Sequence, residues 1–217
     1  MSKKVHPYVF RIGILRDWKS RWFNLKEYRN FLKGDVLIRE ALEKKLKGMY
    51  VENIEMERNQ TTFHLIIRTS RPGILIGRKG EGSEGIKKEV TKLFKKFKLA
   101  VPKEIKLTVE EIQNPESNAK IVAQIVAEGL EKRMPFKRVM KQSLEKAMFN
   151  RDVKGIKIFL SGRLGGAEMG RKEWLKKGRI PLQTLRADID FARHRANLPY
   201  GDIGIKVWVY KGEKISK

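Results

Sequence analysis

The chain has no cysteine, which excludes a disulfide framework and any thiolate metal site and fits a reducing cytosol. No run approaches the roughly 18 consecutive apolar residues of a membrane-crossing helix. Met1 to Phe10 lack the apolar core of a secretory signal, so the acceptor-like triplet Asn59-Gln60-Thr61 is not expected to carry glycan. Acids are short as well: 25 Asp and Glu face 49 Lys and Arg, a formal charge of +24 on 217 residues. Such an excess strains an isolated fold by self-repulsion unless a polyanion neutralises it. Nucleic acid is the expected partner, with an anionic membrane surface second. What is present is a normal apolar content, 41%, enough for one large domain or two small ones.

The pattern divides the chain into a basic N-terminal arm and anchoring segment over 1–37, a first domain over 38–113 and a second over 114–217. Lys3 to Lys33 mix nine cations with two acids, and Trp18, Trp22 and Phe23 either anchor the arm or pack on the next domain. From Asp35 on, Val36, Ile38, Leu42 and Leu46 recur at helical spacing, which predicts a helix ending at Lys47-Gly48. Val51, Ile54 and Met56 lead to a turn at Arg58-Asn59-Gln60, and Phe63, Leu65 and Ile67 share one face of the returning strand. Ile86, Val90, Leu93, Phe94 and Phe97 mark another helix. Its other face carries Lys87, Lys88, Lys92, Lys95, Lys96 and Lys98. After Pro102, Ile105, Leu107 and Val109 alternate as a strand.

Between the hairpin and that basic helix lies Pro72-Gly73-Ile74-Leu75-Ile76-Gly77-Arg78-Lys79-Gly80. Glycine lets the backbone turn sharply and approach a ligand, and Arg78 and Lys79 put charge where the chain comes closest. Gly77, Arg78, Lys79 and Gly80 resemble the loop of a KH module, which clamps about four nucleotides of single-stranded RNA. The order helix, strand, strand, short helix, glycine loop, helix, strand is that of a type II KH domain.

Asn114-Pro115 reads as a helix start, with Ile121, Val122, Ile125, Val126 and Leu130 as the apolar face. A second helix runs from Pro135 to about Met148. Strands are expected over Ile156 to Leu160, around Glu168 to Trp174, around Thr184 to Phe191, and over Ile203 to Tyr210. This is a second α+β domain, two helices on a mostly antiparallel sheet. On the later helix Lys137, Arg138 and Lys141 fall within an arc of about 100°, extended by Lys132 and Arg133, with only Glu145 to offset them. Gly162 to Glu168 is glycine-rich but matches neither a nucleotide-binding nor a dinucleotide-binding loop. It reads as a tight turn, with Arg163, Arg171, Lys172, Lys176, Lys177 and Arg179 as phosphate contacts. Asp188 and Asp190 share a strand face and either hold a metal or pair with Arg186 and Arg193. His6, His64 and His194 form no ligand motif.

Several segments together resemble the bacterial family of small-subunit ribosomal protein three. They are Lys4-Val5-His6-Pro7 with Arg11-Ile12-Gly13, Trp18-x-Ser20-x-Trp22, Arg71 to Glu81, Ser161 to Glu168, Leu185 to Asp190 and Gly204 to Trp208. The resemblance implies a KH domain, a family-specific C-terminal domain, binding to small-subunit (16S) rRNA, and ribosomal proteins ten and fourteen as neighbours. It also implies contact with mRNA at the entrance to the small subunit, and help in opening structured messages, through Lys137, Arg138 and Lys141, whose basic face Arg133 extends. Lys137 stands where the family pattern has arginine, which puts a bidentate phosphate contact there in question. The chain ends at Lys217 without the longer basic tail of some members, so no role of such a tail is expected. The expected protein is thus a cytoplasmic, structural component of the ribosome with no cofactor, no metal, no small-molecule substrate and no catalytic residue. A stand-alone KH-type RNA chaperone and a nuclease built on Asp188 and Asp190 are the alternatives.

Overall fold

The computed structural model describes residues 5–59, 61–97 and 99–214; Met1, Lys3, Lys4, Gln60, Lys98 and Lys217, named above, lie outside the described residues. In chain order the elements are β1 Ser20–Arg21, α1 Tyr28–Lys45, β2 Val51–Arg58, β3 Thr62–Thr69, α2 Pro72–Ile76, α3 Glu81–Lys96 and β4 Glu104–Glu111, then α4 Ala119–Glu131, α5 Phe136–Phe149, β5 Gly155–Gly162, β6 Arg171–Gly178, β7 Ala187–Leu198 and β8 Gly201–Glu213. They fall into two units, one over 18–113 and one joining 114–217 to residues 1–17. The division expected after residue 37 therefore falls inside α1, and the arm is shared between the two units.

The first unit has a sheet in the order β1-β2-β3-β4, with β2 antiparallel and β4 parallel to the central β3. Ile38 and Leu42 of α1, Val90 and Phe94 of α3, and Ile54, Met56, Phe63, Leu65 and Ile67 of the sheet form its core. This is the type II KH order. Helix α1 begins at Tyr28, seven residues before Asp35: Tyr28, Phe31 and Leu32 continue the helical spacing upstream, a signal the pattern reading passed over, and contacts from outside the helix hold these turns. Trp22 packs on the rings of Tyr28 and Phe31 and donates its indole N–H to Asp35 at 2.8 Å. Arg58 binds the same buried carboxylate and lies over the rings of Phe31, Phe63 and Phe94. A guanidinium enclosed by three rings and a carboxylate is a packed core element rather than a surface charge. Trp22 is thus the aromatic that packs, whereas Trp18 and Phe23 stay exposed.

The second unit has a wholly antiparallel sheet in the order β6-β5-β8-β7. Helices α4 and α5 cover one face, burying Val122, Val126, Leu130, Val139, Met140 and Leu144 against Ile156, Ile158, Leu160, Ile205 and Val207. Asn114-Pro115 opens only one 3-10 turn; the cap of α4 is Asn118, whose side chain accepts from the Lys120 N–H at 3.0 Å. Strands β6 and β7 begin three residues later than expected, because the Gly162–Gly170 loop and the 179–186 segment each run longer than a tight turn, and β7 continues past Phe191 to Leu198. From the arm, Arg11 is fully buried and donates to the carbonyls of Pro7, Leu182 and Thr184. This residue of the basic arm is spent on the fold.

Candidate RNA-binding surfaces

Helix α2 ends at Gly77, whose N–H donates to the Gly73 carbonyl at 3.0 Å while its backbone leaves the helix at φ 69°, ψ −177°. Arg78 to Gly80 form one 3-10 turn, with Lys79 at φ 51° and Gly80 at φ 83°. A left-handed lysine is uncommon and costs free energy, and here it holds the cationic side chains of Arg78 and Lys79 in solvent. Beside them Ile74 and Ile76 remain 53% and 42% exposed, an apolar surface at the height of the cations. Glu81 and Glu84 occupy the first turn of α3 and satisfy the positive end of that helix. The loop's attraction for phosphate therefore rests on Arg78 and Lys79. Exposed Lys87, Lys88, Lys92, Lys95 and Lys96 continue the positive surface along α3.

Gly82, which the pattern reading passed over, sets the geometry of this loop. A Cβ there would sit 2.4 Å from the Leu75 carbonyl oxygen and 3.0 Å from that of Ile76. The first turn of α3 thus rests directly on the backbone of α2. The legible signal was a glycine inside a helix, where glycine costs about 1 kcal/mol relative to alanine.

On the second unit, α4 closes at Arg133, left-handed at φ 58°, whose N–H donates to the Leu130 carbonyl at 2.9 Å. Helix α5 starts after Pro135 with no side-chain cap and no acid in its first turn. Lys137 and Arg138 stand in that turn, at the positive end of the helix, where cations are disfavoured and anions welcome. Lys141 follows one turn on. Arg133, Lys137, Arg138 and Lys141 are all exposed, and among the described residues none has a carboxylate partner. Glu145, one turn beyond Lys141, makes no ion pair with it. The structure brings these four together on one surface.

The six cations expected around the glycine-rich segment are not brought together. Arg163 donates to the carbonyls of Ala167, at 2.9 Å, and Tyr200, at 3.4 Å, so it braces the loop between β5 and β6. The strand register puts Lys172 and Lys176 on the face of β6 turned away from the helices, with Trp174 between them. Arg171 and Lys177 lie on the opposite face. Arg171 pairs with Glu173 at 3.2 Å and lies over the ring of Phe136. Arg179 follows the end of the strand and is exposed.

Asp188 and Asp190 go separate ways, and neither pairs with Arg186 or Arg193. Asp188 sits at an irregularity of the β7–β8 ladder, buried, with Arg16 at 2.6 Å and Lys214 at 2.9 Å. Burial alone would raise its carboxyl, but Arg16, Lys214 and Lys211 outweigh burial and hold it below the usual carboxylate value. Asp190 accepts the Ala119 N–H at 2.8 Å and caps α4. Among the described residues no group of three or more His, Cys, Asp or Glu is placed to hold a metal ion. The pair is structural, and the nuclease reading loses its site. Arg16 and Lys214 carry no motif and became visible only through the fold.

Two family models match the chain: the KH domain over residues 37–117 and the C-terminal domain of ribosomal protein S3 over residues 126–209. Small ribosomal subunit protein uS3 of Caldicellulosiruptor bescii is 47% identical over 214 residues, 98% of this chain and 93% of that one. The proteins of the same name from Hydrogenovibrio crunogenus and Pseudomonas aeruginosa are 45% and 46% identical, over 100% and 99% of this chain and 92% and 91% of theirs. Likeness of this depth across both units leaves no place for a free-standing KH chaperone. The chain belongs to the ribosomal protein uS3 family, whose members are structural, non-enzymatic components of the small ribosomal subunit, which in bacteria is cytoplasmic.

Proposed function

We propose that this uS3-family chain binds 16S rRNA and, through the exposed face of α5, holds messenger RNA where it enters the small subunit. The KH loop around Gly77, Arg78, Lys79 and Gly80 clamps a short single-stranded segment. Lys172, Lys176, Lys177 and Arg179 add rRNA phosphate contacts beside the loop that Arg163 braces, with Arg171 a lesser contributor because Glu173 competes for it. Ribosomal proteins ten and fourteen are the protein neighbours, as the family resemblance implies.

The observation that carries the messenger reading is the placing of Lys137 and Arg138 at the uncapped, positive end of α5, without carboxylate partners. That arrangement is unfavourable in the free protein and favourable once a phosphate backbone lies across it. No nucleotide-hydrolysis loop is present in the sequence, so this face does not drive unwinding; translocation supplies the work. A fixed row of cations that binds a separated strand better than a paired one biases the opening equilibrium. A base-pair step is worth about 1.4 kcal/mol, so a preference of that size shifts the open population about tenfold.

Replacing Lys137, Arg138 and Lys141 with alanine tests this. The expected result is slower translation through stable hairpins, with unstructured messages nearly unaffected. The helix should survive, because the three residues lie off its buried face and alanine favours helix. Equal slowing on both kinds of message would show a general assembly defect and remove the proposal.

A further inference from the structure

The outer face of the second sheet, turned away from α4 and α5, is unlike that of the first. In the KH unit the outer face is neutralised: Arg21 pairs with Glu55 and Glu57, Arg68 with Glu55 and Glu110, and His64 meets Glu57 and Thr108. In the second unit the register gives this face Lys172, Trp174 and Lys176 from β6, Lys157 and Phe159 from β5, Lys206 and Trp208 from β8, and Phe191, Arg193 and Arg195 from β7. Among the described residues the register adds a single carboxylate, Asp202, opposite Asn197 near the end of the β7–β8 ladder. Lys157 stands directly opposite Lys176, and Arg193 directly opposite Lys206. Like charges in opposed positions weaken a strand pair, so two such pairs on one face are a cost that a polyanion would relieve.

The aromatic rings alternate with these cations across the strands. The Lys157 ammonium lies 4.8 Å from the Trp174 ring and 5.6 Å from that of Trp208. The Lys206 ammonium lies 5.6 Å from the Phe159 ring. Phe159 and Trp174 face one another across the β5–β6 pair, and Phe191 packs on Trp208 with centroids 5.1 Å apart. Trp174 is 56% exposed, a large ring left open between Lys172 and Lys176.

We propose that this face is a stacking platform for unpaired RNA nucleotides, with bases lying on Trp174 and Phe159 and the phosphates tracked by Lys157, Lys172, Lys176 and Lys206. Flat rings accept any base, and interleaved cations on a sheet suit a single strand better than a duplex, whose bases are already stacked. The inference rests on the RNA-binding reading above but names a surface and an RNA class which that reading does not require. Charge separates RNA from a protein occupant: a second copy of this chain, or any basic protein, would meet Lys157, Lys172, Lys176, Lys206, Arg193 and Arg195 with one carboxylate, Asp202, at the end of the face.

The test compares full-length wild-type protein with Trp174→Ala, Trp174→Phe and, as a control, the Arg78→Asp/Lys79→Asp pair. Fluorescence polarisation would follow binding to an unstructured twelve-nucleotide RNA and to an RNA hairpin of equal phosphate count. Trp174→Ala should weaken single-strand binding roughly tenfold or more without changing its salt slope or hairpin affinity, and Trp174→Phe should recover most of the loss. Wild-type affinity in Trp174→Ala, with the KH-loop control weakened, would remove the platform and leave the RNA reading standing. No RNA binding by the wild type would remove both. Unchanged RNA affinity, together with failure of Trp174→Ala to join the small subunit, would give this face to a protein partner and overturn the proposal.

Discussion

Gly82 and Gly85 stand three residues apart on α3, and the structure gives the same substitution different outcomes at the two positions. Helix propensity alone favours alanine over glycine by about 1 kcal/mol at either site. At Gly85 nothing lies within 4 Å of a new Cβ, so Gly85→Ala should stabilise the KH unit by about that amount. At Gly82 the new Cβ would sit 2.4 Å from the Leu75 carbonyl oxygen, a backbone atom that moves only if α2 moves. Overpacking of this kind costs about 1–3 kcal/mol, so it offsets the propensity gain and leaves Gly82→Ala neutral to about 2 kcal/mol destabilised. Native-state hydrogen exchange on the full chain reads the difference locally. Amides of α3 and β3, such as Val90 and Ile67, should exchange faster in Gly82→Ala and slower in Gly85→Ala, while Ile158 in the second unit stays unchanged. The loop should follow, because a Cβ at Gly77 would lie only 3.0 Å from the Gly82 nitrogen and the two segments are fitted to one another. Gly82→Ala should therefore also lower affinity for single-stranded RNA, whereas Gly85→Ala should not. Equal stabilisation by both substitutions would refute the claim that α3 rests on the α2 backbone.

The remaining predictions concern charge. Asp188→Asn should cost about 1–3 kcal/mol, less than the about 3–5 kcal/mol of a fully buried pair, because Lys214 and part of Arg16 remain in contact with water. The native Asp188 carboxyl is held below its unfolded value, so its contribution is full above about pH 4 and is lost as pH falls through the native value. Wild-type and Asp188→Asn stability curves should thus converge in acid; curves that stay parallel to about pH 2 would contradict the linkage. Arg78→Asp/Lys79→Asp should leave α3 folded by circular dichroism and reduce the salt slope of single-strand RNA binding by about 1.4, at about 0.7 per lost phosphate contact. An unchanged slope would make the loop a structural turn only.

Much of the fold was legible because both periodicities are strong where they matter. Phe63, Leu65 and Ile67 alternate, and Ile86, Val90 and Phe94 recur every four residues; all six are buried. The start of α1 was missed although Tyr28, Phe31 and Leu32 stand at helical spacing; what the sequence does not show is Trp22 and Arg58 meeting at Asp35, contacts that span 13 and 23 residues of sequence. Asn114-Pro115 had the composition of a helix start, but the cap that works is Asn118, because Asp190 reaches the Ala119 N–H from a distant strand and selects the register. At the candidate sites, residues on one element were found and residues gathered by strand pairing were not. Lys137, Arg138 and Lys141 share a helix, so their common face follows from spacing. Lys157, Trp174 and Lys206 come from three strands, and only the register makes them neighbours.

That distinction also explains why net charge points to the partner class but not to the site. The basic side chains fall into three physical situations, separated by what each finds to bind. Arg11 and Arg58 are enclosed and bound to carbonyls or a carboxylate, so they contribute to folding at any salt concentration. Arg16, Arg21 and Arg68 are paired with acids at the surface or near it, and a phosphate would have to displace those acids to bind. The KH loop, the face of α5 and the outer face of the second sheet gather many cations and few acids, and in each of them the backbone or the strand pairing adds a cost. Arg78 and Lys79 border a strained left-handed turn, and Lys157 and Lys206 oppose other cations across the ladder. Cations kept where the free protein is better off without them mark where a polyanion binds. Screening by salt should accordingly raise the stability of the RNA-free chain, by easing this repulsion, while it weakens RNA binding through counterion release. Opposite salt dependences of folding and binding in one protein are the measurable form of that argument, and folding stability that falls as salt rises would overturn it.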